Sequence, residues 1–261
     1  MNITGISMVR DEADILGPTV RNLCEQGITH LIVADNGSTD GTREAFAALG
    51  SYVTVIDDTE RGYYQSEKMT RLAQQAFEQG ADWVLPFDAD EWWYSTEGTI
   101  AEALAATDAN VVAATEFKHW PTPWDDPGDP NPYTRLRHRE TQPHRLHKVC
   151  FRARDGVKVH MGNHGVNFGA YNPDRMDPAL PLLKLRHLPY RSFAQFCRKV
   201  RNGREAYEAA DRMHPMFGTH WREMGAMSDD DLKRLWSDAT SGYEFGHEWM
   251  GHGDLIEDPA P

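Results

Sequence analysis

The sequence contains few cysteines and no long apolar run, and its first residues lead us to expect no signal peptide. Its 261 residues include three cysteines, Cys24, Cys150 and Cys197. An odd number without metal-ligand spacing indicates reduced thiols, as expected for a cytoplasmic protein. No apolar run approaches the ~20 residues that a membrane-spanning helix needs, and the first residues lead directly into a strand-like segment. We therefore expect no integral membrane segment.

Positive charge is also scarce. Lys and Arg number 27 against 40 Asp and Glu, which gives a formal net charge of −13. This balance argues against a nucleic-acid-binding protein. The basic residues are concentrated between residues 135 and 158, where Glu140 and Asp155 are the acidic exceptions. Such a segment either contacts an anionic ligand or forms the outer face of a β-hairpin.

The first 93 residues alternate between two kinds of apolar pattern. Short apolar runs typical of strands are separated by amphipathic segments typical of helices. The predicted strands are 3–9, 30–35, 52–56 and 83–87, and the predicted helices are 15–26, 42–49 and 66–79. This alternation indicates βαβ units, right-handed crossovers and a mostly parallel sheet flanked by helices. The predicted fold class is therefore α/β.

Beyond residue 93 the pattern is less regular. Ser192-Phe193-Ala194-Gln195 has the form of a capping box and begins a predicted C-terminal helical extension. We expect a catalytic domain at 1–190, with halves 1–93 and 94–190, followed by the extension at 191–261. The other predicted elements are a helix at 96–106, a strand at 111–117, a long loop at 119–144, a hairpin of 145–153 with 157–168, and a strand at 182–188.

The predicted strand at 83–87 is followed at once by Asp88, Ala89 and Asp90. Ligands of open α/β sheets bind beyond the carboxyl ends of the strands. Two carboxylates one small residue apart in an extended segment can bind one hard cation and leave positions open for phosphate oxygens. The alternative is a solvated acidic loop after a core strand.

Polar residues follow the other predicted strands as well. Carboxylates crowded along one sheet edge repel each other unless a cation or hydrogen-bond donors compensate, and a metal–diphosphate complex with its ribose and base supplies both. Asp35 is our candidate acceptor for a nucleobase N–H, the alternative being a plain turn before a capped helix. The polar segments are 10–12, 35–38, 57–58 and 88–90.

Taken together, three of these segments resemble the family 2 glycosyltransferases, which have the GT-A fold. The similarity covers residues 3–93 strongly and extends weakly to about residue 205. Arg10 and Asp11 depart from the family pattern, in which Tyr and Asn are frequent. The segments are Met8-Val9-Arg10-Asp11-Glu12, Val33-Ala34-Asp35-Asn36-Gly37-Ser38-Thr39-Asp40-Gly41-Thr42 and Phe87-Asp88-Ala89-Asp90-Glu91.

This resemblance implies a GT-A-like, Rossmann-type sheet and a nucleotide-sugar donor, with a UDP, GDP or dTDP carrier. It also implies Mn²⁺ or Mg²⁺ and transfer to an acceptor hydroxyl with inversion. By motif, the metal–diphosphate segment is Asp88-Ala89-Asp90, with Asp88 and Asp90 as metal ligands. The implied nucleotide-binding residues are Val9, Arg10, Glu12, Asp35, Asp88 and Ala89, with Arg71 as a candidate for diphosphate contact.

The second half must supply the remaining groups. GT-A enzymes often complete the metal shell with a histidine from a late strand, and His187 is our first choice, with His160 second. An inverting reaction needs a general base, for which the candidates are His164, Asp155 and Glu116, with His164 preferred. We also expect the tryptophans of the loop, Trp120 and Trp124, to stack on the acceptor.

Two other functions stay open at this point. A nucleotidyltransferase would share the nucleotide, the metal and the sheet, but it usually carries a glycine-rich loop with a lysine after the first strand. Here Val9-Arg10-Asp11-Glu12 occupies that position. The second alternative is a non-catalytic GT-A-like domain that binds a nucleotide or glycan. The sequence determines neither the donor sugar, the acceptor nor the oligomeric state.

Overall fold

The computed structural model describes residues 1–169, 183–248 and 250–259. The strands are β1 Ile3–Val9, β2 His30–Asp35, β3 Val53–Asp57, β4 Trp83–Pro86, β5 Glu91–Ser95, β6 Val111–Trp120, β7 His138–Glu140, β8 Lys148–Arg152, β9 Lys158–Val159, β10 Val166–Asn167, β11 Leu183–His187 and β12 Leu255–Glu257. The helices are α1 Ala13–Glu25, α2 Thr42–Ala47, α3 Gln65–Glu78, α4 Ile100–Ala105, α5 Pro132–Arg135, α6 Phe193–Glu208, α7 Thr219–Ala226 and α8 Asp229–Ala239.

The first four strands form the parallel part of the main sheet. Their order is β3-β2-β1-β4, and every neighbouring pair is parallel. The helices α1, α2 and α3 connect them, as a parallel sheet requires. The α/β prediction for the first 90 residues is therefore confirmed, with helix and strand ends within about two residues of those expected.

Side chains on both faces of this parallel part are buried. Ile3, Leu31 and Trp83 belong to one apolar cluster, which includes residues of α1. Ile6 and Ile32, on the opposite face of the same strands, belong to a second cluster with residues of α3. Successive side chains of a strand point to opposite faces. Continuous apolar strands of this kind thus fit a sheet with helices on both sides. Each fully buried aliphatic side chain contributes about 1.5–3 kcal/mol to the stability of the fold.

The remaining strands of the sheet are antiparallel, so the sheet as a whole is mixed. β8 lies between β4 and β6 and is antiparallel to both. β5 pairs antiparallel with β11, and β9 pairs with β10 in a separate two-stranded sheet. The predicted hairpin of 145–153 with 157–168 is therefore wrong. The reason is tertiary, since Val149 and Phe151 are fully buried and give β8 an interior position in the sheet.

Other expectations for the second half also need correction. The predicted loop at 119–144 contains helix α5, strand β7 and the end of β6. The sequence analysis missed β5, and the following helix starts only at Ile100 because Thr99 caps it with a complete capping box. The strand predicted at 182–188 is observed as β11, while residue 182 itself lies outside the described residues.

The chain divides into two compact units that do not follow the predicted boundary at residue 190. The first unit contains Met1–Thr59, Gln65–Glu116 and His144–His187, and the second contains Glu60–Tyr64, Phe117–Pro143 and Leu188–Pro261. The second unit has its own apolar cluster around Trp120, Phe196 and Leu235. Its helix α6 begins at the predicted cap, where Ser192 Oγ accepts a hydrogen bond from the Gln195 N–H at 3.2 Å. Among the described residues, no helix is both long enough and apolar enough to cross a membrane.

Candidate active site

The carboxyl edge of the parallel strands carries the predicted row of polar residues. The register aligns Val9 with Asp35 and Asp35 with Asp57 on neighbouring strands. Arg43, in the first turn of α2, lies between the two carboxylates, with Nη1 3.4 Å from Asp35 Oδ2 and 2.5 Å from Asp57 Oδ1. Asp35 Oδ1 accepts a hydrogen bond from the Ser38 N–H at 3.0 Å. Asp35 is therefore buried at this edge and also holds the turn that follows it.

The β1–α1 loop is fixed to that turn by side-chain hydrogen bonds. Asp11 has a left-handed backbone with φ of 57°, which is uncommon outside glycine. Its Oδ1 accepts from the Thr39 N–H at 2.8 Å and from Thr39 Oγ1 at 3.2 Å. The Glu12 N–H donates to Thr42 Oγ1 at 2.8 Å. Asp11 thus shapes the loop, while Arg10 and Glu12, both half-buried, and the buried Val9 stay candidates for nucleotide contact.

The Asp88-Ala89-Asp90 segment starts two residues after β4 and is held from α1. Thr19 Oγ1 donates to the Ala89 carbonyl oxygen at 2.6 Å. One turn further along α1, Asn22 Nδ2 donates to the carbonyl oxygen of Trp93 at 2.7 Å. Ala89 is itself buried, so its methyl group faces the protein interior.

Asp88 is bound by a buried lysine. Lys148 Nζ, at the start of β8, lies 2.7 Å from Asp88 Oδ2 and 2.9 Å from Glu91 Oε1. Burial disfavours the ammonium form of Lys148, but Asp88 and Glu91 outweigh it, and the pKa of Lys148 is raised. Burial raises the pKa of Glu91 to about 7, against the opposing effect of Lys148. Asn163 Nδ2 donates to the other oxygen of Asp88, at 3.3 Å.

Asp90 belongs to a second set of charged groups around His187. His187 Nε2 lies 3.6 Å from Asp90 Oδ1, and His187 Nδ1 lies 2.7 Å from Glu116 Oε1. Burial disfavours the imidazolium, but the carboxylates of Asp90 and Glu116 outweigh it and raise the pKa of His187 to about 10. Burial likewise opposes ionisation of Glu116, yet His187 lowers the pKa of Glu116 to about 2. Glu116 Oε2 lies 3.7 Å from His144 Nδ1.

These residues are compatible with a divalent cation, although they do not form a complete cage. Among the described residues there is no group of three or more His, Cys, Asp and Glu side chains that could hold a metal ion. Asp90 and His187 nevertheless present an oxygen and an imidazole nitrogen side by side, a donor set that Mn²⁺ accepts. Mg²⁺ at nucleotide sites is usually held by one or two carboxylates together with substrate phosphates. The pair therefore fits a cation whose remaining ligands are phosphate oxygens.

His164 lies in the same unit, close to these charged groups. Its Nδ1 is 2.8 Å from the carbonyl oxygen of His147, which can only accept, so Nδ1 carries the proton. Burial is the main cause that lowers the pKa of His164, and the Lys148 ammonium adds to it. Gly162 has a φ of 74°, and any side chain there would collide with the His164 ring. The glycine thus allows the imidazole to lie against the backbone.

The family comparison agrees with these motifs. The family model described as Glycosyl transferase family 2 matches residues 6–158, which is more than half of the chain. The chain belongs to this family. The resemblance seen in the sequence is therefore confirmed.

Individual relatives are more distant. The glycosyltransferase AglJ of Haloferax volcanii is 29% identical over 89 residues, which are 34% of this chain and 27% of AglJ. The chain thus spans about a quarter of the length of that relative.

Solved structures show only weak likeness. S. aureus TarS 1-349 is 12% identical with a TM-score of 0.38, covering 92% of this chain and 79% of that one. Glucosyl-3-phosphoglycerate synthase from Mycobacterium tuberculosis, in complex with Mn²⁺, UDP and phosphoglyceric acid, is 18% identical with a TM-score of 0.32, covering 45% of this chain and 43% of that one. Scores this low do not establish similarity in detail.

Asp155, a candidate base, lies away from Asp88 and Asp90. It lies in the turn after β8, where Arg152 pairs with Trp83 and the Ala153 N–H donates to the Asp82 carbonyl oxygen. That turn is at the amino end of β4, whereas Asp88 and Asp90 follow its carboxyl end. Asp155 Oδ1 instead accepts from Gln74 Nε2 at 2.9 Å on α3. We therefore remove Asp155 from the candidate bases.

Two further candidates have exposed positions. Arg71 lies on the exposed side of α3, opposite the helix face formed by Met69, Leu72 and Ala73. Its contact with a diphosphate stays a prediction. His160, the second choice for a metal ligand, is exposed, whereas His187 is beside Asp90. The structure therefore favours His187 over His160.

The two tryptophans predicted to bind the acceptor have different environments in the second unit. Trp120 is 2% exposed and contacts Tyr190 and His252 in the apolar cluster, so its ring does not offer a face to an acceptor. Trp124 is 58% exposed, and its ring lies 5.0 Å from that of His138. Acceptor stacking stays a prediction for Trp124 alone.

The sequence analysis did not single out Lys148, Asn163 and His144. Lys148 was visible only as one member of the basic segment at 135–158, and that segment does not form one surface. Lys148 is buried in the first unit, whereas Arg137 pairs with Glu257 in the second. A lysine that starts the apolar run Lys148–Arg152 would have been a usable signal, since lysine is almost never buried unless it is paired.

Proposed function

We propose that this chain transfers a sugar from a nucleotide-sugar donor to an acceptor hydroxyl, with inversion and with a divalent cation. The observation that carries the proposal is the position of Asp88 and Asp90. Both follow the carboxyl end of a central parallel strand, and one of them lies beside a histidine from a distant strand. Family membership supports sugar transfer in general, and the cation and the stereochemistry are our additions.

In this proposal the nucleotide binds along the edge formed by the ends of β1, β2 and β3. Asp35 accepts a hydrogen bond from the nucleobase. This bond is strong because the acceptor is a charged carboxylate and because Asp35 is buried. The loop at residues 10–12 is held through the Asp11 side chain by Thr39 and through the Glu12 N–H by Thr42, so it is preorganised for the ribose. The base is uracil, guanine or thymine, corresponding to a UDP, GDP or dTDP carrier.

Asp90 and His187 would hold Mn²⁺ or Mg²⁺, whereas Asp88, which the sequence predicted as a further ligand, has both oxygens engaged by Lys148 and Asn163. When bound, such a cation acts as a Lewis acid that stabilises negative charge on the departing diphosphate. Lys148 keeps Asp88 in place and balances part of the negative charge of Asp88 and Glu91. Without that ammonium group, the fully buried carboxylate of Glu91 would lie near the partly exposed carboxylate of Asp88 with no cation between them, which is unfavourable.

His164 is our proposed general base. Its Nδ1 donates to the carbonyl oxygen of His147, which leaves Nε2 able to accept the proton of the acceptor hydroxyl. A lowered pKa keeps the imidazole neutral at physiological pH, and only the neutral form can take up a proton. The acceptor oxygen would attack the anomeric carbon as the bond from that carbon to the diphosphate breaks on the opposite face, which inverts the anomeric centre.

The test starts with the wild-type protein. Calorimetric titration with UDP, GDP and dTDP, each with Mn²⁺ and with EDTA, identifies the nucleotide and the cation dependence. Sugars on the preferred carrier are then incubated with a panel of hydroxyl acceptors, and the product is identified by mass spectrometry and its anomer by NMR. Tight nucleotide binding without any sugar transfer would indicate a binding domain. Pyrophosphate release from a nucleoside triphosphate and a sugar phosphate would indicate a nucleotidyltransferase.

A further inference from the structure

The His187 ring is contacted by carboxylates at both of its nitrogens. Glu116, at the end of the part of β6 that belongs to the first unit, places Oε1 2.7 Å from Nδ1. Asp90 places Oδ1 3.6 Å from Nε2 on the other side of the ring. Only 2% of the Glu116 side chain and 3% of the Asp90 side chain are exposed. The two contacts are unequal, and the shorter one is with Glu116.

The short contact makes Nδ1 of His187 the donor to Glu116, and a cation at Nε2 would replace the proton that faces Asp90. An ionised carboxylate has no proton to donate, so Nδ1 must donate to Glu116 Oε1. The ring is then oriented with Nε2 toward Asp90. Metal-binding histidines commonly donate their second N–H to a carboxylate in this way, which sets both the tautomer and the orientation of the ring.

We propose that Glu116 is a positioning residue, which holds the His187 ring so that Nε2 and Asp90 Oδ1 form the two protein ligands of the cation. This inference rests on the cation dependence proposed above. Glu116 itself does not touch the cation. Its Oε1 is engaged by His187 and only 2% of its side chain is exposed, so Glu116 is also unsuited to be the general base.

A purely structural role for Glu116 predicts something different. Glu116 Oε2 is buried without a hydrogen bond among the described residues, and its nearest cationic group is His144 Nδ1 at 3.7 Å. If Glu116 served only to balance charge in the interior, Glu116→Gln and Glu116→Ala, which remove the same charge, would weaken cation binding equally. If it positions His187 through its hydrogen bond, Glu116→Ala weakens cation binding more than Glu116→Gln does, while the tertiary structure stays intact.

The experiment measures Mn²⁺ binding by electron paramagnetic resonance, first without nucleotide and then together with the nucleoside diphosphate that the wild type binds. The variants are Glu116→Gln and Glu116→Ala, with Glu97→Gln, an exposed residue of the same unit, as the matched control. Near-ultraviolet circular dichroism checks that each variant is folded. We expect Glu116→Ala to weaken Mn²⁺ binding about 10- to 100-fold. Glu116→Gln should have a smaller effect because its amide oxygen can still accept from Nδ1, and Glu97→Gln should have none.

Two outcomes would overturn the inference, and they are distinguishable. If wild type binds Mn²⁺ and a folded Glu116→Ala variant binds it as well as Glu116→Gln does, Glu116 does not position the ligand, and the proposed cation dependence still holds. If wild type binds no Mn²⁺ with or without nucleotide, both the inference and the proposed cation dependence fail. Should Glu116→Ala not fold, Glu116→Leu, which also offers Nδ1 no acceptor, takes its place.

Discussion

The ammonium group of Lys148 lies 2.7 Å from Asp88 Oδ2 and is almost completely buried. It also contacts Glu91 at 2.9 Å, so one cation from β8 holds two carboxylates from the segment after β4. Removing one partner of a buried ion pair leaves an uncompensated charge in the interior. Lys148 therefore determines how Asp88 is presented at the edge of the sheet.

The first prediction follows from this contact. Lys148→Met keeps the length of the side chain but leaves Asp88 and Glu91 without their common partner, and we expect a loss of about 3–5 kcal/mol in the free energy of unfolding. Urea denaturation measures this loss. Lys158→Met, at an exposed position of β9, is the control and should change stability by less than about 0.5 kcal/mol. A loss below about 1 kcal/mol for Lys148→Met would show that the buried pair does not stabilise the fold.

The second prediction concerns the cation. Asp90→Asn keeps the shape of the side chain and removes the charge beside His187, so the variant should fold but lose the part of nucleotide-diphosphate affinity that depends on Mn²⁺. Calorimetric titration with Mn²⁺ and with EDTA separates the two parts of the affinity. Asp155→Asn, at the opposite end of β4, is the matched control. Equal Mn²⁺-dependent affinity in Asp90→Asn and wild type would exclude Asp90 as a ligand.

The third prediction concerns the nucleobase. Asp35→Ala should weaken nucleotide binding equally with Mn²⁺ and with EDTA, because its proposed contact is with the base and not with the phosphates. A hydrogen bond to a charged group contributes roughly 1.5–3 kcal/mol, or about 10- to 150-fold in affinity.

Asp35 also holds a turn and contacts Arg43, so this experiment needs a control. Arg43→Gln removes the ion pair with Asp35 and Asp57 and keeps the Asp35 carboxylate. We expect Arg43→Gln to bind the nucleotide nearly as well as wild type. If both variants bind as wild type does, Asp35 is a turn residue only.

The fourth prediction concerns the base. His164→Ala should keep the affinity for the nucleotide-sugar donor and lose transfer by about 10²- to 10⁴-fold, the usual contribution of a general base. The rate under saturating donor and acceptor measures the loss. His160→Ala, an exposed histidine of the same segment, is the control. Normal transfer by His164→Ala would mean that another group accepts the proton.

The sequence alone determined the parallel part of the sheet and the row of polar residues at its edge. Each of those strands is a continuous apolar run, and strand and helix follow each other within about 30 residues. Because parallel strands end at one edge, the alignment of Val9, Asp35 and Asp57 needed no knowledge of distant contacts. The position of Asp88 and Asp90 after β4 followed from the same local pattern.

The tertiary structure alone decided how the second half completes the site. Lys148 reaches Asp88 because β8 lies antiparallel beside β4, sixty residues away in sequence, and not in the hairpin that its local pattern predicted. Glu116 and His187 meet because β6 and β11 are neighbours, although they are 71 residues apart. Antiparallel partners are chosen by the burial of whole strand faces, which a short stretch of sequence does not encode. For the same reason, Asp155 lies at the wrong end of β4, although it is only seven residues from Lys148 in the sequence.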